Sequence, residues 1–148
     1  GWNYRATEMQ CALGKSQLML LKKSLKKRNI IANEYYKYFK NIDVIQFPKK
    51  SLNNELHSYH LYPILIDYKK VNNNRVNIIN KLKLKGIGTQ VHYIPLFYQP
   101  YYSETDKNFP GAVEFYNSTL SIPMYIGLNN KDIKYISQSI IEIIYEKN

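Results

Sequence analysis

Residues 59–67, Tyr-His-Leu-Tyr-Pro-Ile-Leu-Ile-Asp, constrain the fold more than any other stretch of this chain. On an extended backbone successive side chains alternate between two faces. Tyr59, Leu61, Pro63 and Leu65 then share one face, and His60, Tyr62, Ile64 and Ile66 the other. Both faces are largely apolar, so a strand here has to be covered on two sides. Pro63 has no backbone N–H to give a ladder and demands a sheet edge or a bulge.

Helical periodicity flanks this strand on both sides. Thr7 and Gln10 have capping-box spacing, and Ala6, Met9, Ala12 and Leu13 give the helix they open an apolar face. Gly14 either ends it or admits a second backbone. A longer helix is predicted on Leu18, Leu21, Leu25, Ala32, Tyr35 and Phe39, with Arg28 snorkelling at the edge of the stripe. Residues 44–47 read as a brief strand closed by Pro48, and 49–55 as a loop. The run Asn72 to Asn74 caps a helix through Lys85 built on Val76, Ile79 and Leu82, which Gly86 stops in the left-handed position. Residues 88–93 read as a second strand entering an aromatic-rich loop. A short helix follows over 109–119, with Pro110 in its first turn, and then an edge strand over 120–124. The last helix opens near Asn129, has Asp132 in its first turn and buries Ile133, Ile136, Ile140 and Ile144. Helices with a few strands at long intervals make an α+β arrangement, helices packed on a small sheet.

At 148 residues, with 45% of them hydrophobic, one domain is the natural reading. No apolar run approaches the roughly 20 residues that cross a bilayer. No basic-then-apolar leader opens the chain. The single cysteine, Cys11, excludes an internal disulfide and a thiolate metal site, and fits a reduced, cytoplasmic protein. The net charge of +10 comes from 21 basic against 11 acidic residues, of which only Arg5, Arg28 and Arg75 are arginines. Specific nucleic-acid recognition favours the forked guanidinium, so so lysine-rich a balance speaks against it. The cluster Lys22, Lys23, Lys26, Lys27 and Arg28 reads first as a solvated helix face and second as an anion-binding one. The opening Gly-Trp-Asn-Tyr-Arg places an aromatic, an amide and a cation where most domains carry disposable polar residues, and reads as the interior of something larger.

Two residue pairs could carry chemistry. His92 and Tyr93 precede Ile94-Pro95, a stiff turn at the sheet margin. An imidazole and a phenol there could hydrogen-bond phosphate or sugar oxygens. The alternative is a histidine satisfied by a backbone carbonyl and a tyrosine packed in the core. Asn3 and Arg5, just ahead of a helix N-terminus, would suit a phosphate, or else be solvated residues at a frayed end. His57 and His60, three apart in a strand, face opposite ways and do not make a metal site. No G-x-S-x-G elbow supports a serine hydrolase. Gly86-Ile87-Gly88 follows a helix, and so is a cap and strand entry rather than a dinucleotide fingerprint.

Several motifs in order carry a resemblance: Gly1-Trp2-Asn3-Tyr4-Arg5, Thr7-Glu8-Met9-Gln10, Ala12-Leu13-Gly14 and Gln17-Leu18. Next come residues 28–35, His60-Leu61-Tyr62-Pro63, and Gly86 through Leu96 with Gln90-Val91-His92-Tyr93-Ile94-Pro95 at its centre. Gln99-Pro100-Tyr101-Tyr102, Phe109-Pro110-Gly111-Ala112 and Leu120-Ser121-Ile122-Pro123-Met124 complete the series. Over essentially its whole length the chain resembles the post-catalytic part of the DegT/StrS-type sugar-nucleotide aminotransferases. The last set is most like the subgroup making UDP-4-amino-4,6-dideoxy-N-acetyl-altrosamine, a pseudaminic-acid precursor.

The resemblance implies the C-terminal small α+β domain of a fold-type I aminotransferase dependent on pyridoxal 5'-phosphate, its sheet mainly antiparallel. It implies a helical segment over 1–41 linking from a large cofactor domain, and the small domain over 42–148. It implies transfer of an amino group from glutamate to the C4 ketone of a UDP-linked 4-keto-6-deoxy sugar by a homodimer. Asn3 would reach the cofactor phosphate of the neighbouring subunit with Arg5 supporting that loop, and His92 and Tyr93 would lie near the nucleotide sugar. The family's Schiff-base lysine and the aspartate facing the pyridine nitrogen belong to the large domain, and none of the 18 lysines here stands in that context. The chain alone is therefore expected to be inactive and to associate through bare apolar faces. Two rivals remain: an independent basic binding module, and a sugar dehydratase of the same fold in which histidine replaces the lysine.

Overall fold

The computed structural model describes residues 1–48, 57–102 and 108–146, and the loop expected over 49–55 lies outside them. Among the described residues the elements run α1 (Glu8–Phe39), β1 (Ile45–Gln46), β2 (Tyr62–Ile66), α2 (Arg75–Leu84), a 3₁₀ turn (Leu96–Tyr98), α3 (Pro110–Ser118), β3 (Thr119–Ile122) and α4 (Asn130–Tyr145). This is the α+β architecture the periodicities predict, helices on a three-stranded antiparallel sheet of order β1-β2-β3.

The two helices expected at the start are one. Thr7 caps it as predicted: the Gln10 N–H donates to Thr7 Oγ1 (3.3 Å) and the Thr7 N–H to Gln10 Oε1 (2.8 Å). The helix then runs straight through Gly14, where nothing lies within 4 Å of the place a Cβ would occupy. Gly14 thus neither ends the helix nor admits a neighbour. One interior glycine costs about 1 kcal/mol, less than leaving two further helix ends with orphaned backbone groups. At 32 residues α1 is about 48 Å long. Only its last turns, through Ile31, Ala32, Tyr35 and Phe39, are in the core. Leu18 and Leu21, predicted on the buried stripe, are exposed, and Leu25 is half-buried.

The strand begins at Tyr62 rather than at residue 59. Tyr59 is buried but sits at φ +38°, a left-handed backbone that cannot continue a ladder. Its N–H turns back to His57 Nδ1 (3.0 Å). Within β2 the predicted alternation holds: Tyr62, Ile64 and Ile66 are buried, Pro63 and Leu65 half-buried. Pro63 is tolerated in a central strand for a definable reason. Ser121, its partner on β3, exchanges both backbone hydrogen bonds with Gln90 instead (3.1 and 2.8 Å), so Pro63–Ser121 is a non-hydrogen-bonded pair. The nitrogen of Pro63 therefore faces the β1 side, and β1 reaches only Leu65 and Ile66. Locally it is the edge that proline requires.

Asn74 caps α2, its Oδ1 accepting the Asn77 N–H (2.9 Å). The helix buries Ile78 and Leu82, while Val76, predicted to be inward, is exposed. Gly86 closes the helix at φ +73°, with the Gly86 N–H on Lys83 O and the Ile87 N–H on Leu82 O, both 2.9 Å. That pair of bonds is the Schellman arrangement. The strand predicted over 88–93 is reduced to the single Gln90–Ser121 bridge. Pro110 opens α3 as expected. Asn129 and Asp132 form a full capping box on α4, and its buried face is Ile133, Ile136, Ile140, Ile143 and Ile144. Ile31, Tyr35 and Phe39 of α1, the isoleucines of α4 and the inward residues of β2 and β3 form one cluster.

Candidate functional site

The Gln90–Ser121 bridge fixes the chain two residues before His92. The His92 ring then comes to rest on β3, with Nδ1 2.9 Å from Ser121 Oγ. Its partner is thus a buried hydroxyl, not the backbone carbonyl that the structural alternative supposed. Tyr93 packs edge-on against the His92 ring (4.7 Å between centroids) but is 72% exposed, so it is not a core tyrosine. The His92–Tyr93 peptide is cis.

His92 borders a cleft of about 270 Å³ lined also by His60, Thr89, Gln90, Ser121 and Pro123. Thr89 Oγ1 is buried without a partner. One wall is held from behind: the Tyr35 phenol donates to Pro123 O (2.9 Å). Burial, with the neighbouring Tyr62 phenol adding to it, raises the Tyr35 phenol far above its ordinary value, so it remains a neutral donor. A second opening of about 400 Å³ shares Gly88 and Pro123 with this cleft and carries Tyr125 and Tyr135. A groove of about 740 Å³ between β2 and α3 contains none of Asn3, Arg5, His92 and Tyr93.

Asn3 and Arg5 are exposed and stand together, Arg5 Nε donating to Asn3 Oδ1 (3.1 Å). That bond leaves the Asn3 amide N–H groups and the outer guanidinium N–H groups as donors, a set that fits an anion such as a phosphate. The helix end behind them adds less than expected, because Thr7 already takes the Gln10 N–H and Glu8 brings negative charge into the first turn. The cleft at His92 includes neither Asn3 nor Arg5. The structure thus joins each pair internally and does not bring the two pairs into one cleft.

Among the described residues the basic cluster of α1 is largely solvated. Lys22, Lys23 and Lys26 are exposed, and Arg28 is half-buried with Nη1 3.4 Å from Ser58 O. His57 is occupied by the Tyr59 N–H and ring. No group of three or more His, Cys, Asp or Glu able to hold a metal occurs among the described residues. None of their helices is long and apolar enough to cross a membrane.

Ser121 and Thr89 are the site residues that sequence reasoning missed. Ser121 lies 29 residues from His92, and no local pattern links a strand serine to a loop histidine. The edge strand expected over 120–124 and the motif Leu120-Ser121-Ile122-Pro123-Met124 both mark that segment, but neither singles out Ser121.

The chain is 34% identical over 152 residues to the UDP-4-amino-4,6-dideoxy-N-acetyl-beta-L-altrosamine transaminase of Campylobacter jejuni, covering 97% of this chain and 38% of that protein. It is 32% identical to the Bacillus subtilis spore coat polysaccharide biosynthesis protein SpsC, covering 97% and 38%. Among solved structures, Helicobacter pylori PseC, an aminotransferase of pseudaminic acid biosynthesis, superposes with a TM-score of 0.81 at 31% identity, covering 97% of this chain and 39% of that one. The chain spans about two fifths of the length of these relatives and aligns with their C-terminal part. Residues 1–141 match the DegT/DnrJ/EryC1/StrS aminotransferase family, and the chain belongs to that family.

Proposed function

We propose that this chain is the small-domain part of a nucleotide-sugar aminotransferase. The proposed reaction moves an amino group from glutamate to C4 of a UDP-linked 4-keto-6-deoxy-N-acetyl sugar, in the assembly of pseudaminic acid for a surface glycan. Family membership over nearly the whole chain supports the reaction class, and the C. jejuni and H. pylori relatives support the sugar. The observation that carries the reading is the His92–Ser121 pair at the mouth of a polar cleft, where an imidazole meets solvent beside the unpaired hydroxyl of Thr89.

Family members bind pyridoxal phosphate. When bound, it supplies the electron sink that lets an amino group leave one carbon and join another. In this reading residues 1–41 lead from the large domain and 42–148 form the small one. Asn3 donates to the phosphate of the cofactor held by the partner subunit of a cytoplasmic homodimer, and Arg5 holds the Asn3 amide in place through its Nε bond. His92 donates to an oxygen of the nucleotide sugar, and Tyr93 shields it from bulk water at the exposed edge of its ring.

The test is amino transfer by the full-length protein from ¹⁵N-glutamate to a panel of UDP-, GDP- and dTDP-linked 4-keto-6-deoxy sugars, read by mass spectrometry. Label entering the UDP-N-acetyl sugar in preference to the others supports the reading. Label entering only a GDP- or dTDP-linked sugar moves the substrate and keeps the reaction class, and loss of water without label in any of them replaces the transaminase by a dehydratase.

A further inference from the structure

Ser121 is 4% exposed, and both of its backbone polar groups are taken by Gln90. Among the described residues its hydroxyl has one partner, His92 Nδ1 at 2.9 Å. A hydroxyl has a single proton to donate, and a buried donor left without an acceptor costs more than the bond itself contributes. Nδ1 is the acceptor within reach of that proton among the described residues, so the assignment that leaves no buried donor unpaired has the hydroxyl donating to Nδ1. A neutral imidazole whose Nδ1 accepts carries its own proton on Nε2. Nε2 of His92 makes no hydrogen bond among the described residues and is not one of the buried unpartnered atoms, so it is open to solvent at the cleft.

We infer that Ser121 is a positioning residue that locks His92 in its Nε2–H form and so turns it into a fixed hydrogen-bond donor for an acceptor oxygen of the nucleotide sugar. The inference deepens the function proposed above and rests on it for the identity of the ligand. It has a chemical consequence. A protonated Nε2 has no lone pair with which to ligate a metal or take up a proton, and so selects for oxygen acceptors: a diphosphate, a sugar carbonyl or a ring hydroxyl. The edge contact with Tyr93 restricts the ring from a further side, and the Gln90–Ser121 bridge fixes the backbone two residues before it. Thr89 Oγ1, buried and unpaired in the same cleft, is placed to complete the polar lining when the ligand enters.

The test uses the full-length protein, UDP-N-acetylglucosamine as probe, isothermal titration for affinity, and ring-¹⁵N-labelled histidine for the state of His92. In the wild type the ring nitrogens of His92 report the Nε2–H form. Ser121→Ala releases them toward a mixture of both tautomers and weakens the probe about tenfold, the loss of one well-placed hydrogen bond, while Ser121→Thr restores most of the affinity. In a His92→Gln background, where the amide supplies its own donor without needing Nδ1, Ser121→Ala costs nothing further. Equal losses in both backgrounds would reveal a merely structural serine and overturn the inference, as would ring signals that Ser121→Ala leaves unmoved. A wild-type protein that ignores the probe but shows the serine-dependent ring signals overturns the nucleotide-sugar reading instead, and leaves Ser121 in its positioning role.

Discussion

The phenol of Tyr35, near the end of the first helix, donates to the carbonyl of Pro123, 88 residues later, at 2.9 Å. Pro123 follows β3 directly and lines the cleft of His92 and Ser121. One hydrogen bond thus ties the core end of the long helix to the wall of the candidate site. The Tyr35 ring stacks with Phe39 (6.0 Å) and lies tilted against Tyr62 (5.1 Å) at the same time.

Tyr35→Phe should keep those ring contacts and lose only the bond. The expected cost is about 1 kcal/mol of stability, measured by denaturant unfolding of the protein. Tyr35→Leu, which also loses the stack, should cost more.

Tyr68 is predicted to behave in the opposite way. Its hydroxyl is buried without a partner, and burial pushes the phenol up to about 12, against a smaller opposing pull from Arg75. Arg75 itself is turned to the Tyr116 carbonyl and ring. The unfolded chain releases the phenolic proton near pH 10, whereas the native protein holds it to about pH 12. The contribution is complete below the unfolded value and is lost as pH rises across that window. Tyr68→Phe should therefore be neutral or slightly stabilising at pH 7, and should flatten the decline in stability above pH 10. A decline equally steep in the variant would contradict this.

The long helix leaves Met9, Leu13, Leu18 and Met19 exposed, beside Trp2 and Tyr4 ahead of it. Apolar side chains left bare to this extent drive association. Residues 1–148 expressed alone should sediment as oligomers and bind a hydrophobic dye, and coexpression with the remainder of the protein should suppress both. A clean monomer without dye binding would contradict the proposed origin of that surface.

Much of the fold was legible because its signals are local. Asn129 with Asp132, Asn74 before α2, Gly86 after it and Pro110 at the head of α3 each act within a few residues, where capping and turn chemistry decide the backbone. What failed depends on what packs where. Leucines spaced three and four apart do not say that the first half of α1 projects beyond this core, so the stripe turns Leu18 and Leu21 inward on paper although they are exposed. Nothing in the composition of α2 separates Val76 from Ile78, yet only Ile78 is buried. At the site the asymmetry is similar. His92 stood out by its place before Ile94-Pro95, whereas Ser121 was unremarkable until the Gln90–Ser121 pairing laid the two segments side by side.

The central claim is that the opening residues meet a cofactor phosphate, and equilibrium titration of pyridoxal phosphate into the full-length protein, followed by the visible absorbance of the bound cofactor, tests it most directly. Asn3→Ala should weaken the cofactor about tenfold, the worth of one hydrogen bond to a charged group, with the fold intact by circular dichroism. Residues 1–148 alone should give no such absorbance. An unchanged affinity in Asn3→Ala, or a visible band from residues 1–148 alone, would contradict the account.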